Sequence, residues 1–279
     1  MKTLIFDQNY KSPKISVVMP VYNAEEYLQE AIESILNQTF TDFEIIIVDG
    51  SSTDKSYEII QKYAKADIRI VAIKTEKNLG LIKTLNMAIG IAKGKYIARM
   101  DADDISLPDR LSKQFDYMEN NPEIGISGGT MQIIDNKGKS IGVRKYHLND
   151  EQIRKNIFRY SPFSHPLIII RRAILDKSGF YDQNYNHAED YELYFRIGEY
   201  SKFGNLDATL LKYRVHNNSI TISKIQKMEA MTLEIRKKYS NGYGYSMTLF
   251  DKIYNIIISM TYFVPYKVKL QIFNLIRNE

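Results

Sequence analysis

Three carboxylates, Asp101, Asp103 and Asp104, fall within four residues in the stretch RMDADDISLPDR at 99–110. They follow KYIARM, which reads as a half-buried strand. Like charges at that spacing repel, so the cluster implies a positive partner. An EF-hand loop is excluded: counted from Asp101, Ser106 stands where the turn glycine belongs and Ser112 where the bidentate glutamate belongs. A short carboxylate set suits Mg2+ or Mn2+, which take few protein ligands and complete their shell from a substrate phosphate. Taken alone, the plain alternative is a solvated acidic turn.

Other chemistries are excluded or left open by the same reading. No Walker A sequence and no Gly-x-Gly-x-x-Gly follows the first predicted strand, which argues against a P-loop ATPase and a dinucleotide dehydrogenase. The turn there is PVYNAEE, whose Tyr22 could stack on a flat ring or simply pack in the turn. Glu189 and Asp190 open a helical pattern in HAEDYELYFRI, where acids complement the helix dipole. Two histidines stand near strands, His165 in SPFSHPL and His216 in YRVHNNS; a structural role is the plain reading of each. The absence of cysteine excludes disulfides and thiolate metal sites.

The elements that must position these residues alternate. ISVVMPV predicts a buried strand and AEEYLQEAIESILNQ a helix, with Leu28, Ile32, Ile35 and Leu36 at helical spacing and Asn23 and Glu26 spaced as a capping box. FEIIIVDG, IRIVAI and KYIARM predict further strands. Between them STDKSYEIIQKYAK and LGLIKTLNMAIGIAKG predict helices, the latter closed by Gly94. Pro108 is expected to start another helix, bearing Leu111, Phe115 and Met118. EIGISGGTMQIID, SPFSHPLIII and GNLDATLLKYRVH read as later strands. Such alternation implies right-handed βαβ units, a mostly parallel sheet, and a ligand crevice beyond the strands' carboxyl ends. Pro20 to Asn23, Asp49 to Ser52 and Asp101 to Asp104 all fall at such ends.

In order along residues 14–215, SVVMPVYNAEEYLQEAIESILNQTF, FEIIIVDGSSTD, NLGLIKTLNMAIGIAKGKYIARMDADDISLPDRL and HAEDYELYFRI resemble family 2 glycosyltransferases of the GT-A fold. The resemblance implies an α/β, Rossmann-like catalytic domain over residues 1–220, followed by a helical extension at 221–279. It implies an inverting transfer of sugar from a nucleotide-sugar, a UDP-sugar foremost, to a hydroxyl of a glycan or lipid-linked acceptor in surface-polysaccharide synthesis. Asp190 would be the catalytic base. Pro20, Tyr22, Asn23, Asp49, Ser51, Asp101 and Ala102 would contact the donor. Asp103 and Asp101, with His216, would hold Mn2+ or Mg2+. Many relatives read Asp-Asp-Gly-Ser where this chain reads Asp49-Gly50-Ser51-Ser52, so a second base-contacting carboxylate is missing. Two rivals stand beside this reading: a sugar nucleotidyltransferase, whose glycine-rich first loop is lacking, and a catalytically silent nucleotide-sugar-binding protein.

The chain has 279 residues and a formal charge of +5, unevenly placed. Residues 1–220 balance 29 Lys and Arg against 29 Asp and Glu, whereas residues 221–279 hold 9 against 4. A neutral body with a basic tail argues against nucleic acid and points to a local anionic partner such as a membrane surface. The tail's apolar stretch is too interrupted to span a bilayer, leaving an interfacial helix or one packed on the body or a second copy. The first residues carry no long apolar core, so no signal peptide is expected. The expected place is the cytoplasm, peripherally on the membrane's inner face.

Overall fold

The computed structural model describes residues 2–4, 12–215 and 222–260. Its elements run in the order β1 (Lys2–Leu4), β2 (Ile15–Val21), α1 (Leu28–Leu36), β3 (Phe43–Asp49), α2 (Ser56–Ala66), β4 (Ile70–Lys74), α3 (Leu81–Ile91), β5 (Tyr96–Arg99), β6 (Ile105–Ser106), α4 (Arg110–Asn120), β7 (Ile124–Ile134) and β8 (Ser140–Arg144). There follow α5 (Asp150–Asn156), β9 (Ile169–Arg171), α6 (Arg172–Ser178), α7 (Glu189–Tyr200), β10 (Lys202–Arg214), α8 (Ile222–Lys238), β11 (Asn241–Gly242), β12 (Tyr245–Ser246) and α9 (Leu249–Met260).

The expected parallel core is the run β4-β3-β2-β5, whose neighbours all pair in parallel. Its strands are apolar on both faces because helices cover both. Ile15, Val17 and Met19 of β2 pack with Leu28 and Ile32 of α1 and Leu111 of α4. Val18, from the opposite face of β2, packs with Leu85 and Ile89 of α3. β5 is buried on both faces too, rather than half-buried. Beyond β5 the sheet turns mixed: β9 pairs antiparallel with β5 and β7, β7 pairs parallel with β10, and β6 runs antiparallel beside β10.

Three local expectations change. The first helix starts at Leu28 behind Tyr27, which makes no side-chain cap. Asn23 instead adopts φ 48° and turns its Oδ1 to the Thr53 N–H at 2.9 Å, so no capping box forms. Gly94 does not close α3, whose C-cap is Ala92. A Cβ at Gly94 would lie 2.5 Å from the Ser16 nitrogen, so the glycine lets two backbones approach. Pro108 lies in the turn before α4, which starts at Arg110.

The extension packs back on the body. Ile235, Tyr239 and Tyr245 join the core that holds Phe195 and Phe203, and the Tyr239 ring stacks on Phe195 at 4.7 Å. The buried guanidinium of Arg236 donates from Nε to the Tyr191 hydroxyl at 3.0 Å and from Nη2 to the Arg159 carbonyl at 2.7 Å. No helix among the described residues is long and apolar enough to cross a membrane.

Candidate functional site

The carboxyl ends of β3, β2 and β5 lie side by side, and the loops that leave them are laced together. The Gly50 N–H donates to the Val21 carbonyl at 2.7 Å, the Asn23 N–H to Ser52 Oγ at 3.0 Å, and the Ala24 N–H to Ser56 Oγ at 2.8 Å. Above this floor opens a cleft of about 280 Å³ lined by Pro20, Tyr22, Asn23, Asp101, Ala102 and Asp103. All six are residues the sequence singled out. Ala24, Glu26 and Tyr27 line it as well and were not foreseen. Tyr22 is half exposed, open for a ring to stack on it.

Asp49 and Ser51 are placed differently. Asp49 is fully buried, and its carboxylate accepts the Ser52 N–H at 3.2 Å, shaping the turn from beneath the cleft rather than lining it. Ser51 follows at φ 65°. His216 lies outside the described residues.

The acidic cluster sits at the cleft's edge. Asp101, Asp103 and Asp104 each bring a carboxylate oxygen to within 4.8 Å of the others. Burial and then the two neighbouring aspartates push the Asp104 carboxyl well above the usual range. Its Oδ1 accepts the Arg214 N–H at 2.8 Å, while its buried Oδ2 has no hydrogen-bond partner. Burial also raises Asp101, against the pull of Arg99, which is ion-paired with it. A set of hard carboxylate oxygens, crowded and with one buried oxygen unsatisfied, fits a divalent cation of the Mg2+ or Mn2+ kind.

Arg99 connects this cluster to the second acidic pair. Its guanidinium is buried and its Nε has no hydrogen-bond partner. Its charge acts on Asp101 and Asp104 on one side, and on Glu189 and Asp190 on the other. Glu189 and Asp190 form the first turn of α7. Burial, reinforced by Asp190, pushes the Glu189 carboxyl up to about 7, and the buried Glu189 Oε2 has no partner. Burial raises Asp190 too, although its Oδ1 accepts the Tyr191 N–H at 2.8 Å. Two acids with raised values in one buried neighbourhood are what proton-transfer chemistry uses.

His165 and Tyr181 complete the neighbourhood. Arg99 N–H donates to the Ile168 carbonyl at 3.0 Å, which sets the 3-10 turn His165–Leu167 beside the end of β5. His165 Nε2 lies 2.8 Å from the Tyr181 hydroxyl. Burial and then Arg99 push the imidazole well below its usual value, so it is neutral near pH 7. The Tyr181 hydroxyl is raised by burial and feels the charges of Asp190, Glu189 and Asp101. Sequence reasoning missed Arg99, although an arginine inside an otherwise apolar buried strand was a usable signal.

Comparison with known proteins shows the family and the fold. The family described as Glycosyl transferase family 2 matches residues 16–180. The uncharacterized glycosyltransferase MJ1057 of Methanocaldococcus jannaschii is 43% identical over 223 residues, covering 78% of this chain and 76% of its own length. The O-antigen biosynthesis glycosyltransferase WbnJ of Escherichia coli is 35% identical over 227 residues, covering 80% of this chain and 88% of its own. Among solved structures, S. aureus TarS residues 1–349 in complex with UDP superimposes with a TM-score of 0.67 at 19% identity, over 91% of this chain and 73% of that one. The mannosyltransferase PcManGT of Pyrobaculum calidifontis, in complex with GDP-Man and Mn2+, does so with a TM-score of 0.63 at 16% identity, over 95% and 74%. The parallel core with acids at its strand ends is the GT-A fold, and this chain belongs to glycosyl transferase family 2.

Proposed function

We propose that this chain is an inverting, metal-dependent glycosyltransferase that moves a hexosyl or N-acetylhexosaminyl group from a nucleotide-sugar, UDP-linked foremost, to a hydroxyl of a glycan or lipid-linked acceptor. The observation that carries the reading is the single neighbourhood in which Arg99 connects the Asp101–Asp104 cluster to Glu189 and Asp190. TarS in complex with UDP and PcManGT in complex with GDP-Man and Mn2+ support a nucleotide-sugar donor and a divalent ion, and WbnJ supports surface-polysaccharide synthesis. The catalytic unit in this reading is residues 1–220. The basic extension at 221–279 brings it to an anionic membrane from the cytoplasmic side, where a lipid-linked acceptor would be held.

In the reaction, the acceptor hydroxyl gives its proton to the Asp190 carboxylate as its oxygen attacks the anomeric carbon. The bond from that carbon to the diphosphate oxygen breaks, and the nucleoside diphosphate leaves on the opposite face. Asp101 and Asp103 would hold Mn2+ or Mg2+, which supplies positive charge for the departing diphosphate. Tyr22 offers a stacking face for the nucleobase. Neutral His165, held by Tyr181, offers a hydrogen bond on the acceptor side.

The deciding experiment measures nucleoside diphosphate release from a panel of nucleotide-sugars with Mn2+. Release with one donor, lost in EDTA and in Asp103→Ala, supports the reading. Undiminished release in EDTA together with full activity of Asp103→Ala overturns it. Pyrophosphate release from a nucleoside triphosphate and a sugar phosphate would mark a nucleotidyltransferase instead.

A further inference from the structure

Helix α9 is turned inside out. Two of its polar side chains face the protein: buried Asp251 accepts from Arg159 Nε at 2.7 Å, and Asn255 accepts from Arg236 Nη1 at 2.9 Å while donating to the Phe158 carbonyl at 3.1 Å. The Tyr254 hydroxyl reaches the Arg159 carbonyl at 3.4 Å. Thr248 caps the helix, its Oγ1 bonded to Asp251 Oδ2 at 2.6 Å and to the Asp251 N–H at 3.1 Å. The opposite face carries Leu249, Ile253, Ile256, Ile257 and Met260, each between 48% and 74% exposed. Leu249, Ile253, Ile256, Ile257 and Met260 recur at helical spacing, so they form one continuous stripe. A surface helix normally buries its apolar stripe, and contiguous exposed apolar patches mark interaction sites. Here specific polar anchors fix the reverse orientation.

The net charge of the segment that carries the stripe selects the occupant. Residues 221–279 hold nine Lys and Arg against four Asp and Glu, the chain's whole excess. Among those acids Asp251 is buried against Arg159, while Lys252 stands exposed on α9 itself. An exposed apolar stripe on a segment of net positive charge suits an anionic lipid surface, on which such a helix lies without spanning it. A second copy of the same basic tail would instead bring like charges together.

We infer that the outward face of α9 is a membrane-docking surface that inserts Leu249, Ile253, Ile256, Ile257 and Met260 among the acyl chains of an anionic leaflet. The docking stands on the outward face of α9 and the net charge of residues 221–279; only its purpose, meeting a lipid-held acceptor, rests on the proposed reaction.

The chain has no Trp, so Ile257→Trp in the whole 279-residue chain places a single reporter on the stripe. Its emission should shift to the blue on adding vesicles of phosphatidylcholine with phosphatidylglycerol, less with phosphatidylcholine alone, and the shift should weaken with added salt. The double variant Ile253→Glu with Ile257→Glu should lose about 10²-fold or more in vesicle partitioning, since each buried isoleucine is worth more than one factor of ten. Its melting temperature and nucleotide affinity should match the parent. No vesicle-dependent shift, or equal partitioning of the double variant, overturns the inference. A blue shift that grows with protein concentration without vesicles assigns the stripe to a second copy. One present at every concentration and indifferent to vesicles assigns it to the chain's own residues 261–279. Donor binding is read separately, so a failed docking test leaves the proposed reaction standing, and the reverse holds as well.

Discussion

The main-chain N–H of Arg214 donates to Oδ1 of Asp104 at 2.8 Å, joining residues 110 apart in the sequence at the edge of the cleft. The same arginine donates from Nε to the Asp103 carbonyl at 2.9 Å and from Nη2 to Glu30 at 2.5 Å, and its guanidinium lies 4.3 Å from the Tyr27 ring centre. Strand β10 thus fixes the loop that carries the carboxylate cluster. Arg214→Met keeps the backbone bond and removes the others. It is expected to cost about 1.5–3 kcal/mol of stability, the range for hydrogen bonds to charged groups. Binding of nucleoside diphosphate with Mn2+ should weaken at least as much as the fold does. Calorimetric titration beside thermal melting checks this, and unchanged affinity in a fully folded variant would remove Arg214 from any positioning role.

This link shows where the sequence stops being legible. The parallel core was readable because continuous apolar runs such as FEIIIVD admit few alternatives to a buried strand. The carboxylates were readable because they stand at strand ends, where ligands bind. Arg99 was passed over because it completes a strand pattern, and its charge matters only through residues distant in sequence. Strand β8 is largely exposed, and α5 and α6 have seven residues each, too few to show a clear period. The tail was legible only as alternatives, an interfacial helix or a packed one. An apolar stripe at helical spacing predicts an inward face, but Arg159 and Arg236 bind the polar side of α9 and hold the stripe outward.

Asp190 offers a direct test of the proposed base. Asp190→Asn keeps the size of the side chain and removes its ability to take a proton. Turnover should fall by about 10²-fold or more, the scale of general base catalysis. Donor affinity should stay within a few fold, because the proposed donor contacts lie at the ends of β2 and β5. Single-turnover rates measured beside nucleotide affinity separate the two effects. Wild-type turnover would remove the assignment.

The Glu189 carboxyl makes stability depend on pH. Its folded value is about 7, against an ordinary 4.5, because burial disfavours the charge. The folded chain therefore holds this proton more tightly than the unfolded chain. The associated stability is fully present below pH 4.5 and is lost as pH rises through about 7, to a total of up to about 3 kcal/mol. Glu189→Gln never ionises and should escape that loss. Relative to its parent, its melting temperature should rise from pH 5 to pH 8. Parallel melting curves across that window would show that the carboxyl is not held neutral.

Ser51 carries backbone strain that a substitution can release. Its φ of 65° lies in the left-handed region, where a Cβ crowds the carbonyl. In the pattern Asp-Asp-Gly-Ser, the glycine falls at this position. Ser51→Gly relieves about 1–2 kcal/mol of strain and loses about 0.4–1 kcal/mol through the freer unfolded chain. The net gain therefore lies between about 0 and 1.6 kcal/mol, a rise of about 6 °C at most. Ser51→Val, β-branched at the same φ, should melt lower than the parent. Scanning calorimetry of both variants reads the order Gly, Ser, Val, and a reversed order would show that the turn is not strained. Nucleotide affinity in the glycine variant reads a separate matter. The Ser51 side chain was expected to touch the donor, yet it does not line the cleft. Unchanged affinity confines Ser51 to the turn, and a loss with the fold intact restores it as a donor contact.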